Sequence, residues 1–416
     1  MEIPEGWREG RIADLISRLD AGISVNSGDR PAKEGEQAVL KTSCVSEWIF
    51  NPEENKVVSL ATEKMRLKEP VQGDSIILSR MNTPALVGAS AFIEHGRDNL
   101  FLPDRLWQAK PSNNNVCMRW LAEFLGSKRG RFILSSMSTG TSGTMKNITK
   151  PDVFSIRILI PPLPEQKSIA KILSTWDRAI EVVEKLIENS QAQKKALMQQ
   201  LLTGKKRLPG FEGEWEKLPL ENIFSFSKGH GLSKGDLSPD GEEMCVLYGE
   251  LYTKYSEVIG EIFSRTDTVA GFRSKSGDIL IPASTTTTGI DLANATAILE
   301  DNILLGGDIN ILRTKKSNTC ASFFARYLTH TKKHEISRKA QGITIIHLYG
   351  NHLKPIIVGL PPIEEQEAIT NVLNTCDHEI TKNQQQLIRI KSEKSALMQQ
   401  LLTGKRRVKI DKEAVV

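Results

Sequence analysis

Cysteine is scarce in this chain: Cys44, Cys117, Cys245, Cys320 and Cys376 are scattered singly over 416 positions, odd in number and without a CxxC pair. That usage offers no zinc framework and points to reduced thiols. No run of eighteen apolar residues exists, which excludes a membrane-spanning helix. The opening Met1-Glu2-Ile3-Pro4-Glu5 lacks the basic-then-apolar pattern of a signal peptide, so a cytoplasmic protein without membrane contact is expected. The chain also has no P-loop, no GxGxxG and no zinc-protease motif, since His330 and His334 have no carboxylate between them and read as surface residues. Gly204-Lys205 and Gly404-Lys405 follow a helix and precede neither Ser nor Thr, so they are no phosphate cradle. Charge of one sign is in small excess, +5 net, a mild bias towards polyanions.

What the chain does have is one stretch twice. ALMQQLLTGK runs from Ala196 to Lys205 and again from Ala396 to Lys405, ten identical residues at an offset of 200. Upstream, Pro161, Pro162, Glu165, Gln166, Ile169, Leu173, Thr175, Asp177 and Ile180 recur at the same offset from Pro361 to Ile380, so the chain is an internal duplication. Each copy reads as one long helix, entered through prolines, with Glu165 or Glu365 near its positive end and Gly204 or Gly404 closing it.

The apolar positions alternate spacings of four and three, the pattern of a coiled-coil seam. In the first copy they are Ile169, Leu173, Trp176, Ile180, Val183, Ile187, Leu197 and Leu201, with Ser190 and Lys194 interposed. In the second they are Ile369, Leu373, Cys376, Ile380, Leu387, Ile390, Leu397 and Leu401, with Asn383 and Lys394 interposed. Connectivity requires an antiparallel pair if the segment between the copies is compact, and such a pair carries a pseudo-two-fold axis. Full overlap sets Ile169 opposite Leu401, Trp176 opposite Lys394, Cys376 opposite Lys194 and Leu201 opposite Ile369. In that register the Lys394 stem lies along the Trp176 indole with its ammonium free.

The two intervening segments share a layout but little sequence. Gly6-Trp7 opens the first and Gly213-Glu214-Trp215 the second, and Gly73-Asp74 before Ile76-Ile77-Leu78 is echoed by Gly277-Asp278 before Ile279-Leu280-Ile281. Ala38 to Lys41 and Ser75 to Leu78 read as strands, while 118–132 and 322–328 read as helices. The tract 135–147 (SSMSTGTSGTMKN) reads as a loop. Pro151-Asp152 followed by Glu165-Gln166-Lys167 has the spacing of a metal-dependent nuclease, but the second copy reads Glu365-Gln366-Glu367 without the lysine, which favours a helix start. The basic clusters Lys205-Lys206-Arg207 and Lys405-Arg406-Arg407 suit helix C-termini, and equally suit phosphates of a duplex.

A globular unit, PPLPEQ and a helix ending LLTGK, then a second unit, PPIEEQ and the same ending, resembles the specificity subunit of type I restriction-modification systems over the whole chain. The resemblance implies an α+β protein in which two globular mixed α/β target-recognition domains are joined by two long antiparallel helices, a coiled-coil spacer with pseudo-two-fold symmetry. The expected boundaries are 1–160 and 209–360 for the recognition domains, 161–208 and 361–408 for the helices, and 409–416 for a tail. Each domain would read half of a bipartite site in double-stranded DNA, and the helices would dock two methyltransferase subunits, with restriction subunits completing the complex. S-adenosylmethionine, ATP and magnesium would belong to those partners, leaving this chain without a catalytic residue or metal. The alternatives are a non-catalytic assembly scaffold without sequence readout and the metal-dependent nuclease.

Side chains suited to base edges are candidates for readout. In the first unit they are Lys41, Thr42, Ser43, Arg80, Asn82, Arg105, Thr139, Thr141, Ser142, Lys146 and Asn147. In the second they are Tyr248, Tyr252, Lys254, Thr285, Thr286, Thr287, Arg313, Gln341, Thr344, His347 and Tyr349. Lys205, Lys206, Arg207, Lys405, Arg406 and Arg407 are the phosphate candidates.

Overall fold

The computed structural model describes residues 3–409 except 47, 141–143 and 316. The chain divides into two compact units, one formed by 1–184 with 386–416 and the other by 185–385. Each unit therefore holds a globular module, the first half of one long helix and the second half of the other. The helices are Leu163–Leu201 and Ile363–Leu401, 39 residues each. Within the expected segments 161–208 and 361–408 they start at the third residue, because the Pro162 carbonyl already accepts from the Glu165 and Gln166 amides, and Pro362 does the same in the second copy. They end before a turn at Gly204 or Gly404, whose φ values of 67° and 71° suit glycine. A Cβ on Gly404 would also meet Pro4 at 2.4 Å, so the residue is needed for approach as well as for conformation.

In the first unit a four-stranded antiparallel sheet has the order Ile16–Ala21, Leu106–Pro111, Ser75–Ser79, Ser90–Ile93. A second, mixed sheet has the order Asn55–Val57, Ala38–Leu40, Arg97–Phe101, Pro70–Val71. The second unit repeats both layouts, with Phe224–Lys228, Ile309–Thr314, Asp278–Pro282 and Thr296–Ile298 in the antiparallel sheet. Its mixed sheet is Ser264–Thr266, Glu243–Val246, Leu304–Leu305 and Phe272–Arg273. The echoed Gly-Asp pairs are one residue out of step. Asp74 lies in the turn before its strand with φ 48°, whereas Asp278 is the first strand residue and is buried.

The stretch expected as one helix over 118–132 is two, Met118–Gly126 and Lys128–Ser136. Ser127 adopts an extended conformation (ψ 157°) and its hydroxyl caps the second helix by accepting from the Gly130 amide. Trp120, Leu121, Phe124 and Leu125 are buried together as their spacing requires. The 135–147 tract is not wholly a loop, since Lys146–Asn147 forms a short strand against Met81–Asn82.

The cores explain why the modules stay on their helices. Ile169, Leu173, Leu401 and Leu402 pack into the same core as Trp7, Leu121 and Phe124 in the first unit. Leu201, Leu202, Ile369 and Leu373 do so with Phe323, Phe324 and Tyr327 in the second. At roughly 2 kcal/mol per fully buried aliphatic side chain, each set of four holds its module by several kcal/mol. The ends of opposite helices meet in one core, so the pairing within each unit is antiparallel. Among the described residues no helix is long and apolar enough to cross a membrane.

Candidate nucleic-acid interface and its helical mount

The duplicated residues form an anchor that occurs once in each unit. Glu165, fully buried, accepts from Trp7 Nε1 at 2.9 Å and takes Arg407 on both oxygens, at 2.8 and 2.9 Å. Glu365, equally buried, accepts from Trp215 Nε1 at 3.0 Å and takes Arg207 at 2.5 and 2.6 Å. The adjoining glutamines are spent the same way: Gln166 accepts from the Cys117 amide at 2.9 Å and donates to the Pro161 carbonyl, while Gln366 accepts from the Cys320 amide at 2.8 Å and donates to that of Pro361. The shared Glu-Gln therefore does more than start a helix, since it fastens the module to it.

These contacts correct two expectations. Arg207 and Arg407 are taken up by buried carboxylates and by nearby carbonyls (Glu5 for Arg407, Gly213 for Arg207), so they are clamp residues in place of phosphate contacts. The nuclease alternative loses its carboxylates as well, because Asp152 caps its own short helix through the Thr149 amide and hydroxyl while Glu165 is in the clamp. Among the described residues no group of three His, Cys, Asp or Glu side chains is arranged to hold a metal.

Further along the seam Ile169, Leu173, Ile180, Val183, Leu201, Ile369, Leu373 and Leu401 are buried, and Trp176, Ile187, Leu197, Cys376, Ile380, Leu387, Ile390 and Leu397 are half-buried. The interposed lysines depart from expectation. Lys394 does not leave its ammonium free above Trp176: it pairs with Asp177 at 2.6 Å and with Glu123 of the module at 3.4 Å. Lys194 pairs with Asp377 at 2.5 Å and lies 4.0 Å from Glu257. Two carboxylates at one place draw the ammonium away from the indole, since an ion pair of low exposure outweighs a cation–π contact. Burial holds the Glu123 carboxyl above its ordinary range, against the pull of Lys394.

Burial also pushes Glu257 up, but the hydrogen bond from His330 and the charge of Lys194 outweigh it and hold that carboxyl at about 2. A folded value below the ordinary 4.5 means that the stabilisation is complete above pH 4.5 and is lost as the pH falls towards 2. The second unit is therefore expected to lose stability over that interval, and Glu257→Gln to flatten the loss. Unfolding midpoints measured in steps from pH 5 to pH 2 check this, and an unchanged acid profile in the variant would refute it.

The readout candidates fall into groups. In the first unit Arg80 follows the strand Ser75–Ser79, Asn82 pairs with Lys146 across the short ladder, and Asn147 bridges to Thr139. Arg105 is exposed, and its carbonyl accepts from the Arg80 amide. Lys41 and Ser43 are engaged elsewhere, on Glu54 at 3.7 and 2.5 Å, with Thr42 in the same 3-10 turn. Thr141 and Ser142 lie outside the described residues, as do residues 410–416 of the tail. In the second unit Thr285 and His347 belong to the matching ladder, Gln341 bridges to His347, Tyr349 stacks on His347 with centroids 6.0 Å apart, and Thr344 and Thr286 are exposed. Tyr248 packs partly into a core and Tyr252 is half-buried.

Three second-unit candidates have carboxylate partners within the protein. Arg313 grips buried Asp278 at 2.7 and 2.6 Å, Lys254 pairs with Glu250 at 2.8 Å, and Thr287 donates to Asp291 at 2.6 Å. A bidentate grip on a buried carboxylate is costly to exchange for a base edge, so Arg313 serves to hold Asp278. Lys205, Lys206, Lys405 and Arg406 remain exposed. Sequence reasoning missed Trp107, whose ring has both Arg80 and Lys150 within 6.0 Å, and missed the Trp–Glu–Arg clamps, although each clamp residue lies in a motif that the chain shows twice.

Two modules of one layout, each locked to duplicated helices by identical anchors and each presenting different side chains at equivalent positions, define a tandem recognition protein. The sequence profile of the type I restriction modification DNA specificity domain matches residues 4–189 and 212–391, and the chain belongs to that family. It is similar to the putative type I restriction enzyme MjaX specificity subunit of Methanocaldococcus jannaschii, 24% identical over 98% of this chain and 95% of that one. The MjaVIII specificity subunit of the same organism is 25% identical over the same shares. The fold is shared with the S subunit of the type I system of M. genitalium, with a TM-score of 0.59 at 15% identity over 97% of this chain and 98% of that one. A chain from a type I system studied for complex assembly matches with a TM-score of 0.60 at 16% identity, over 98% of this chain and all of the other. This is a specificity subunit, the non-catalytic DNA-recognition component of a type I restriction-modification system, with two target-recognition domains.

Proposed function

We propose that residues 1–160 and 209–360 each read one half of a bipartite, asymmetric site in double-stranded DNA. The helical segments 161–208 and 361–408 set the spacer and dock two methyltransferase subunits, and restriction subunits join these in the cytoplasm. S-adenosylmethionine, ATP and magnesium act on the partners. One observation carries the reading: the anchors are the same in both units (Glu165 and Glu365, Arg407 and Arg207, Lys394 and Lys194), while the surfaces around the short ladders differ. Identical mounts suit two copies of one partner, and different surfaces suit two unlike half-sites. An assembly scaffold without readout has no use for the difference.

Co-expression with the cognate methyltransferase, followed by genome-wide mapping of N6-methyladenine, tests this. A two-part motif is the expected result, and methylation without sequence preference would leave only the scaffold. Affinity is expected to fall steeply with salt. Replacing exposed Lys205, Lys206, Lys405 and Arg406 by glutamine should make that dependence shallower, by about 0.9 in log–log slope for each phosphate that is no longer neutralised. Half-site preference in matched and mismatched duplexes should survive the change, because phosphate contacts position and base contacts specify.

A further inference from the structure

The same backbone junction occurs in both units, and hydrogen bonds fix its correspondence. The Ile148 amide donates to the Arg80 carbonyl at 3.0 Å, as the Leu348 amide does to the Ala283 carbonyl at 2.9 Å. Trp107 pairs with Leu78 and Asn310 with Ile281, while Asn147 pairs with Met81 and His347 with Ser284. Arg80, Trp107, Asn147 and Lys150 thus stand where the second unit has Ala283, Asn310, His347 and Gly350. Four side chains have been exchanged on an unchanged backbone, which is what two readers of different sequences require.

In the second unit the junction is closed, since Asn310 donates to the Leu348 carbonyl at 2.8 Å. In the first, Trp107 has no such bond. Trp107 is 2% exposed, with Arg80 Cζ 5.9 Å and Lys150 Nζ 6.0 Å from its ring. Three buried polar atoms here have no protein partner: Arg80 Nε, Trp107 Nε1 and Asn147 Oδ1. Buried groups left unpaired are costly and mark a place where a ligand completes the set. A phosphate offers acceptors alone, which suits the two donors but leaves Asn147 Oδ1, as placed, without a donor. The major-groove edge of a base pair offers both kinds of partner: guanine O6 and N7 accept from arginine, and the amino group of a neighbouring cytosine or adenine donates to Asn147 Oδ1.

We propose that Arg80, oriented by the Trp107 ring, reads a guanine in the half-site of the first recognition domain, with Asn147 accepting from an adjacent base and Lys150 drawing in the backbone. The proposal rests on the DNA-recognition reading above. Its test uses the full chain with its methyltransferase and duplexes substituted one base pair at a time. In Arg80→Ala, and in Arg80→Lys, which keeps the charge but loses the two-pronged fork, discrimination at one G·C pair of the first half-site should fall roughly tenfold or more, with the second half-site still read. Retained discrimination at every position, or an even loss of affinity for all sequences, would overturn it, the latter making Arg80 a phosphate contact. A native chain without sequence preference would overturn both this and the reading beneath it, whereas native preference with an unaltered Arg80→Lys profile would overturn this assignment alone.

Discussion

Arg407→Ala is expected to destabilise the first unit by about 2–4 kcal/mol, and Arg207→Ala to do the same to the second. Breaking a buried pair by removing one partner costs on the order of 3–5 kcal/mol, because the remaining charge is left uncompensated. Here the survivor is Glu165 or Glu365, each wholly buried and left with only a tryptophan N–H. The expected figure is lower because the Arg407 side chain is 41% exposed, so water reaches part of the site. Glu165→Gln added to Arg407→Ala should restore part of the loss, since a neutral amide no longer needs the guanidinium. Denaturant unfolding with hydrogen exchange, which tells the two units apart, measures both effects. A loss under about 0.5 kcal/mol would place the clamp among surface ion pairs of little consequence.

The clamp also shows where reading the sequence stopped. The long helices were legible because their period and their offset of 200 are undisturbed, and the antiparallel arrangement followed from connectivity alone. Ser127 was not, because apolar spacing continues across it and only its extended backbone and capping hydroxyl interrupt the helix. Arg207 and Arg407 looked like helix-terminating charges because that is what a basic triplet after a last turn ordinarily is. Their partners lie 158 and 242 residues away, beyond any local pattern. The readout set was legible as a composition of polar residues but not as a place. Arg80 and Arg313 look alike in the sequence, yet one follows its strand with its Nε unpaired and the other is locked on Asp278. What separates them is burial of a carboxylate, which the one-residue slip between the two Gly-Asp pairs brings about.

The first half of the chain, residues 1 to about 208, is expected to form a homodimer that recognises a symmetric site. The first unit takes from the second half of the chain a definite set of partners: Leu397, Leu401 and Leu402 for its core, Lys394 for Asp177 and Glu123, Arg407 for Glu165, and Val408 beside the core. At the offset of 200 the first half carries Leu197, Leu201, Leu202, Lys194, Arg207 and Leu208. A second copy of the fragment can therefore supply every one of them, with Ile169 facing Leu201 and Trp176 facing Lys194. Two deficits are evident: Ser190 stands where Ile390 would face buried Ile180, and Gln191 stands in place of Lys391, whose exposed pair with Glu184 is worth about 0.2–1 kcal/mol. Burying the apolar set again stabilises by several times that amount. The fragment's target should be an inverted repeat of the first half-site, with the parent's spacer, and two methyltransferase subunits should still bind. Mass measurement of the fragment, then co-expression with the methyltransferase and methylation mapping, checks each point. A well-folded monomer would show that the duplicated residues are not interchangeable, and methylation at the parent's asymmetric motif would show that one unit does not read one half-site.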